Sequence, residues 1–184
     1  MPVQKITREA IIEKAFDVFN RQGFHRTSMN DLATACGLFK GSFYHYFGSK
    51  EELMREVLQY NYQVFKQTTL TIAYDETLPP KERLRKMLEK QTKIVSKDNR
   101  GCLFGNTTLE TANVAPEFRQ VLQAFFDDWT AALTHVYASK YDQEEAPAMA
   151  QQTVMEIEGA VMLMKGYGNP QWLENCRERI LSRL

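Results

Sequence analysis

Lys40, Ser42, Tyr44, His45 and Tyr46 place one cation, one imidazole and three hydroxyls within seven residues, around Gly41. These groups suit contact with a nucleic acid. Lys40 can meet a phosphate or a guanine edge, the hydroxyls can donate to phosphate oxygens or base edges, and Gly41 lets the backbone approach closely. Phe43 and Phe47, four apart, belong on the opposite, core-facing side of the same short helix, expected over about Phe39 to Phe47. Helices that serve only as core rarely spend so many polar groups in so few residues.

Elsewhere the reactive groups are sparse. Cys102 follows Gly101 at an expected helix start, where the helix dipole favours a thiolate, so it is a candidate sensor of oxidants or electrophiles. The alternative is a small buried hydrophobe. Asp127 and Asp128 are adjacent carboxylates, but neighbours on a helix point about 100° apart and seldom act together. Cys36, Cys102 and Cys176, like His25, His45 and His135, are too scattered for a zinc or disulfide framework, and no metal site or cofactor is expected. With no phosphate-cradling glycine loop, paired-histidine motif or serine elbow, the chain reads as a non-enzyme.

The polar cluster needs elements to hold it. Thr27 or Ser28 can cap a helix whose third residue beyond Ser28 is Asp31, a capping-box pattern, and Met29, Leu32 and Ala33 give that helix an inward stripe. Gly37 suits a left-handed turn, and Ala33 is small enough for a second helix to come close. Together they spell a helix-turn-helix. Before it, a helix capped by Thr7 carries Ile12, Ala15, Phe16 and Phe19 and stops at Gly23. After it, Ser49 starts a longer helix running to about Tyr74, a link from this region to the rest of the chain.

The run Lys40-Gly-Ser-Phe-Tyr-His-Tyr-Phe47 followed by Ser49-Lys-Glu-Glu-Leu53 closely resembles the DNA-binding domain of the TetR/AcrR family of bacterial transcriptional regulators. The clear resemblance covers about the first sixty residues. It implies an all-α homodimer, usually a repressor, with a larger C-terminal domain that binds a small molecule. Phe39 departs from the pattern, since many members have serine or threonine there. The residues expected to meet DNA are Thr27, Ser28, Lys40, Gly41, Ser42, Tyr44, His45, Tyr46 and Lys50. The expected division is a DNA-binding domain over 1–48 and a ligand-binding and dimerisation domain over 49–184.

Composition fits this reading. The chain has 184 residues, 43% hydrophobic and 25% charged, and a formal net charge of zero. Residues 1–50 nevertheless hold seven Lys/Arg against four Asp/Glu, so the positive excess lies with the helix-turn-helix. No apolar run is long enough to cross a bilayer, and Met1-Pro2-Val3 leads into a polar helix start with no signal peptide, so a cytoplasmic protein with no membrane partner is expected.

Further along, Pro80 can begin a helix with Leu84, Met87, Leu88, Gln91, Ile94 and Val95 on one face. Asp98-Asn-Arg-Gly101 is a stop, and Cys102 to Glu110 reads as a short helix broken near Gly105 or Thr107. After Val114-Ala115-Pro116, a long helix carries Phe118, Leu122, Phe125, Trp129, Leu133 and Val136. Gln91, Cys102, Phe104, Thr108, Phe125, Phe126, Trp129 and Met162 are candidate lining for a hydrophobic ligand site, with plain core packing as the simpler role. Between Pro147 and Gly166 two apolar faces appear: Ala150, Val154, Ile157, Val161, Met164 on one, and Met155, Gly159, Met162, Leu163 on the other. A helix apolar on two sides needs two partners, one of which is a second copy of the chain. Val154, Ile157, Val161 and Met164, with Leu173, Cys176 and Ile180 of the last helix, are the expected dimer interface. A palindromic operator in double-stranded DNA and a small-molecule inducer complete the expected partners. A ligand-binding or protein-interaction module of the same fold, without operator recognition, is the alternative.

Overall fold

Helices alone build the computed structural model, which describes residues 6–112 and 115–184; no strand occurs among them. The start Met1-Pro2-Val3 and Val114 at the head of the expected break lie outside the described residues. Nine α-helices follow in order: α1 Arg8–Gln22, α2 Met29–Ala35, α3 Lys40–Phe43, α4 Lys50–Thr68, α5 Pro80–Val95, α6 Leu103–Thr111, α7 Arg119–Tyr137, α8 Glu145–Tyr167 and α9 Gln171–Leu181. The all-α expectation is met. The chain forms two compact units, Met1–Asn61 with Leu103–Val121, and Tyr62–Cys102 with Leu122–Leu184. The boundary therefore falls inside α4, and α6 belongs to the first unit, a grouping that differs from the expected division at 48/49.

Local chemistry explains most of the ends. The Thr7 hydroxyl caps α1 by accepting the Ala10 N–H at 3.2 Å. Gly23 closes α1 at φ 81°, and its N–H reaches the Phe19 carbonyl at 2.8 Å. The positive φ is what favours glycine here; a β-carbon would also lie 2.5 Å from a Glu110 carboxylate oxygen of α6, which would have to move aside. Pro80 opens α5, where its missing N–H costs no helical bond.

Two sequence expectations are corrected. The helix after Ser49 ends at Thr68 and passes into a 3-10 turn over Leu70–Tyr74, so it is shorter than the expected run to Tyr74. The segment after Cys102 is one unbroken helix. Thr107 and Thr111, both buried, return their hydroxyls to the carbonyls of Leu103 and Thr107 at 2.7 Å, so these side chains are satisfied within the helix and do not break it.

In the first unit Ile11, Ala15, Phe19, Leu32, Phe43, Phe47, Leu53 and Val57 form the core. The α1–α2 turn is tied to α6 by the His25 N–H donating to the Glu110 carboxylate at 3.2 Å and by the His25 ring to the Glu110 carbonyl at 3.0 Å. Phe24 adds an edge-on ring contact with Phe118 at 5.1 Å.

The second unit is organised by α8 on α9 and by α9 on α5. Trp129 sits among Phe65, Phe125 and Phe126 at ring centroid distances of 6.0, 5.9 and 6.5 Å. The end of the chain is clasped by polar groups: the Tyr137 hydroxyl shares a 2.8 Å hydrogen bond with Thr153, and Arg183 donates to Thr153 at 2.8 Å and to Glu156 at 2.5 Å. Burial works against ionisation of Glu156, but Arg183, Gln152 and Arg179 together outweigh it and hold the carboxyl below its ordinary range.

Candidate nucleic-acid interface

Asp31 and Ser28 set the start of α2 reciprocally. The Ser28 hydroxyl accepts the Asp31 N–H at 3.2 Å, and the Asp31 carboxylate accepts the Ser28 N–H at 2.8 Å, a complete capping box. The Ser28 hydroxyl also donates to Asp31, and this bond holds the carboxyl below its ordinary value. Its folded-state pKa is thus depressed, so its stabilisation is present above the unfolded carboxyl range and is lost as pH falls through the folded value. We expect Ser28→Ala to cost about 1 kcal/mol in thermal unfolding at neutral pH. The difference between the two proteins should shrink as the carboxyl protonates in acid.

Gly37 then takes φ 71°, the left-handed turn its position requires, and releases the chain towards α3. The recognition element is a single α-turn, Lys40–Phe43, rather than the longer helix expected from Phe39 to Phe47. Beyond it the His45 and Tyr46 N–H groups reach back only three residues, to Ser42 and Phe43, so the helix tightens into turns. Phe39 occupies the N-cap and offers no side-chain oxygen. Phe43 and Phe47 hold the element from beneath, both fully buried with ring centroids 6.2 Å apart. Arg8 braces the far side: it donates to the Tyr46 carbonyl, pairs with Glu56 and lies 4.0 Å from the Phe47 ring centre. No local pattern in the sequence marks Arg8; its contacts with Tyr46, Glu56 and Phe47 make it a positioning residue.

The expected DNA-contacting residues separate into two groups. Lys40, Gly41, Ser42, Tyr44 and His45 are exposed, and Tyr44 is 45% exposed despite its size. Gly41 has open space where a side chain would begin, so no neighbour within the protein explains its lack of one. Ser28 is exposed beside them, with its hydroxyl engaged in the cap. The other three also make hydrogen bonds within the chain. Thr27 is buried and donates its hydroxyl to the Gly23 carbonyl at 2.6 Å. The Tyr46 hydroxyl reaches the Ile6 carbonyl at 3.3 Å. Lys50 donates to the Phe24 carbonyl at 2.8 Å with its ammonium 4.2 Å from the Phe24 ring centre. These side chains help to fix the frame of the surface.

The candidate ligand residues of the second unit are mostly core. Gln91, Cys102, Phe125 and Trp129 are buried, whereas Phe126 is half-buried and lines an open groove of about 520 Å³ with Asp127, Thr130, Ala131, Thr134 and Gln151. Met162 is 60% exposed and so stands on the outer face of α8, not against a cavity wall. Phe104 and Thr108 lie in the first unit, the former buried and the latter returning its hydroxyl to the Phe104 carbonyl at 2.8 Å. Cys102 is buried beside Glu158, whose carboxyl is pushed up by burial; this surrounding favours the packing role over a solvent-reactive thiol. Asp128 accepts the Lys66 ammonium at 2.6 Å and the Tyr62 hydroxyl at 2.5 Å, while Asp127 is exposed, so the adjacent carboxylates do not converge.

The expected dimer stripe lies largely inside the single chain. Ile157, Val161, Met164, Leu173, Cys176 and Ile180 are buried within the chain itself, and Val154 is half-buried. The apolar surface left on α8 is its other face, with Met155 66% exposed and Met162 about two turns further along the same face.

Comparison with known proteins agrees with this geometry. Residues 11–57 match the family model of bacterial regulatory proteins of the tetR family, and residues 80–179 match the C-terminal domain of LmrA/YxaF-like transcriptional regulators. The chain is 31% identical over 122 residues to the HTH-type transcriptional repressor DhaR of Mycobacterium sp. (strain GP1), an alignment spanning 66% of this chain and 61% of that repressor. It is 29% identical over 161 residues to the HTH-type transcriptional regulator YxaF of Bacillus subtilis, covering 85% and 84%. A TetR transcriptional regulator from Legionella pneumophila shares the fold at a TM-score of 0.87 and 24% identity, covering 98% of this chain and 97% of its own. A capped α2, a left-handed glycine turn and an exposed Lys40–His45 surface therefore sit within matches to both halves of one family, and the chain belongs to the TetR family of bacterial transcriptional regulators.

Proposed function

We propose that the protein is a ligand-responsive repressor that binds a palindromic operator as a homodimer. The observation that carries this reading is the exposed set Lys40, Ser42, Tyr44 and His45 on an element anchored from below by Phe43 and Phe47. A rigid base with donors facing outward is what reading a major groove requires. The repressor DhaR among its relatives supports the sign of regulation. Homodimerisation is supported by the exposed Met155 and Met162 of α8, continuous with half-buried Gly159 and Leu163. A two-fold dimer presents two copies of the recognition element and so selects a two-fold operator.

The inducer is a small hydrophobic or electrophilic molecule received by the ligand-binding domain, 49–184, whose aromatic helix α7 leaves Phe126 at the wall of an open groove. Its binding favours a form of the dimer with lower operator affinity, by the ratio of its affinities for the two forms. The protein acts in the cytoplasm, where its DNA target is, and carries out no catalysis. Among the described residues no helix is long and apolar enough to cross a membrane.

Selection of bound fragments from a random duplex library tests this reading. The wild-type protein should recover one palindromic motif, and Lys40→Ala with Tyr44→Ala should recover none. Met162→Glu, placed on the exposed face, should weaken the dimer and leave at most single half-sites. A folded wild-type protein that enriches no motif would instead identify a module of this fold without operator recognition.

A further inference from the structure

Phe39 is 88% exposed, the most exposed of the large hydrophobic side chains among the described residues. It stands at the N-cap of α3, immediately before Lys40, with extended backbone at φ −70° and ψ 144°. The position ordinarily favours a side-chain oxygen, and phenylalanine forgoes that bond. Nothing in the local fold uses the ring in return: the core beneath is made by Phe43 and Phe47, and Gly37, not Phe39, supplies the turn.

The leading residues of a recognition helix are those that reach base edges. A phenyl ring there has no donor or acceptor for phosphate or for a base edge. The one apolar group that a B-DNA major groove presents is the 5-methyl of thymine. We infer that Phe39 reads a thymine methyl in each operator half-site, so that this protein discriminates thymine at that position by apolar contact. The inference rests on the operator-binding reading above and adds to it a specificity-determining residue. Lys40 supplies the adjacent charged contact, and Gly41, open above its α-carbon, leaves the ring room to approach the base edge.

Deoxyuridine lacks only that methyl, which gives a direct test. The duplex selected by the wild-type protein is synthesised with deoxyuridine replacing one thymidine at a time, symmetrically in both half-sites, and binding is measured at fixed salt. At one thymine the wild-type protein should lose roughly fourfold in affinity per half-site, the worth of one buried methyl-sized group. Phe39→Ala should bind the thymine duplex more weakly and show no further loss on the deoxyuridine duplex, since the two changes remove the same contact. Phe39→Ser provides the control for folding: it restores a capping oxygen and should raise thermal stability while losing the thymine preference. Equal sensitivity of wild type and Phe39→Ala to deoxyuridine at every position overturns the inference while leaving operator binding standing. A loss of stability in Phe39→Ser with thymine preference retained overturns it also, by making the ring structural. If the wild-type protein selects no duplex, the operator reading fails and the inference falls with it.

Discussion

Phe43→Ala should lower the stability of the folded chain by roughly 3–5 kcal/mol, the usual cost of emptying a fully buried phenylalanine site. For a chain of this size that corresponds to a fall in unfolding temperature of about 10 °C, readable by circular dichroism. The ring lies under the middle of the recognition element, between Ser42 and Tyr44, and meets Phe47 at 6.2 Å. A cavity there removes the floor on which the exposed side chains are set. DNA affinity should therefore fall even at temperatures where the variant remains folded. Phe43→Leu, which fills most of the space, should recover most of the stability and part of the affinity.

Trp129→Ala should cost a similar amount, roughly 3–5 kcal/mol, for a different reason and with a different consequence. Trp129 is buried and shares its surroundings with Phe65, Phe125 and Phe126, so its loss removes several aromatic contacts along with the largest side chain of that cluster. Thermal unfolding should show the loss directly. The exposed Lys40–His45 surface is built by residues of the first compact unit, and well below its transition the variant should retain affinity for the selected duplex within about twofold, the scale of small changes in a surface it does not touch. A phenylalanine at this position, which keeps a ring in the cluster, should give a smaller loss. The contrast between the two alanine variants separates damage to recognition from damage to folding.

Local signals made much of this molecule legible. Ser28 and Asp31 stand at capping-box spacing, Gly37 sits where a left-handed residue is needed, and Pro80 marks a helix start; each effect acts within a few residues, and each appears in the structure. Tertiary partners were not legible. Thr27, Tyr46 and Lys50 look like free donors in sequence, but their partners are the carbonyls of Gly23, Ile6 and Phe24, and for Tyr46 and Lys50 these lie 40 and 26 residues away. Arg8 escaped notice for the same reason, since its partner Glu56 is 48 residues distant.

Helix α8 shows where periodicity itself is insufficient. It carries two apolar faces, and spacing assigns both equally to a core. Ile157, Val161 and Met164 go inward, while Met155 and Met162 remain outside. The choice depends on the shape of the space between helices, which a single helix does not encode. Helix α3 is shorter than its pattern implies for a related reason: an aromatic-rich run continues a helical spacing, whereas the His45 and Tyr46 N–H groups turn back with three-residue hydrogen bonds.

The central claim is sequence-specific recognition of DNA through the Lys40–His45 surface. Its most direct measurement is the affinity of the purified protein for the selected duplex and for a shuffled duplex of the same composition, each across a series of salt concentrations. The selected duplex should be preferred by at least about a thousandfold at physiological salt, with affinity for both falling as salt rises and the preference abolished by Lys40→Ala with Tyr44→Ala. Equal affinity for the two duplexes at every salt concentration would contradict it.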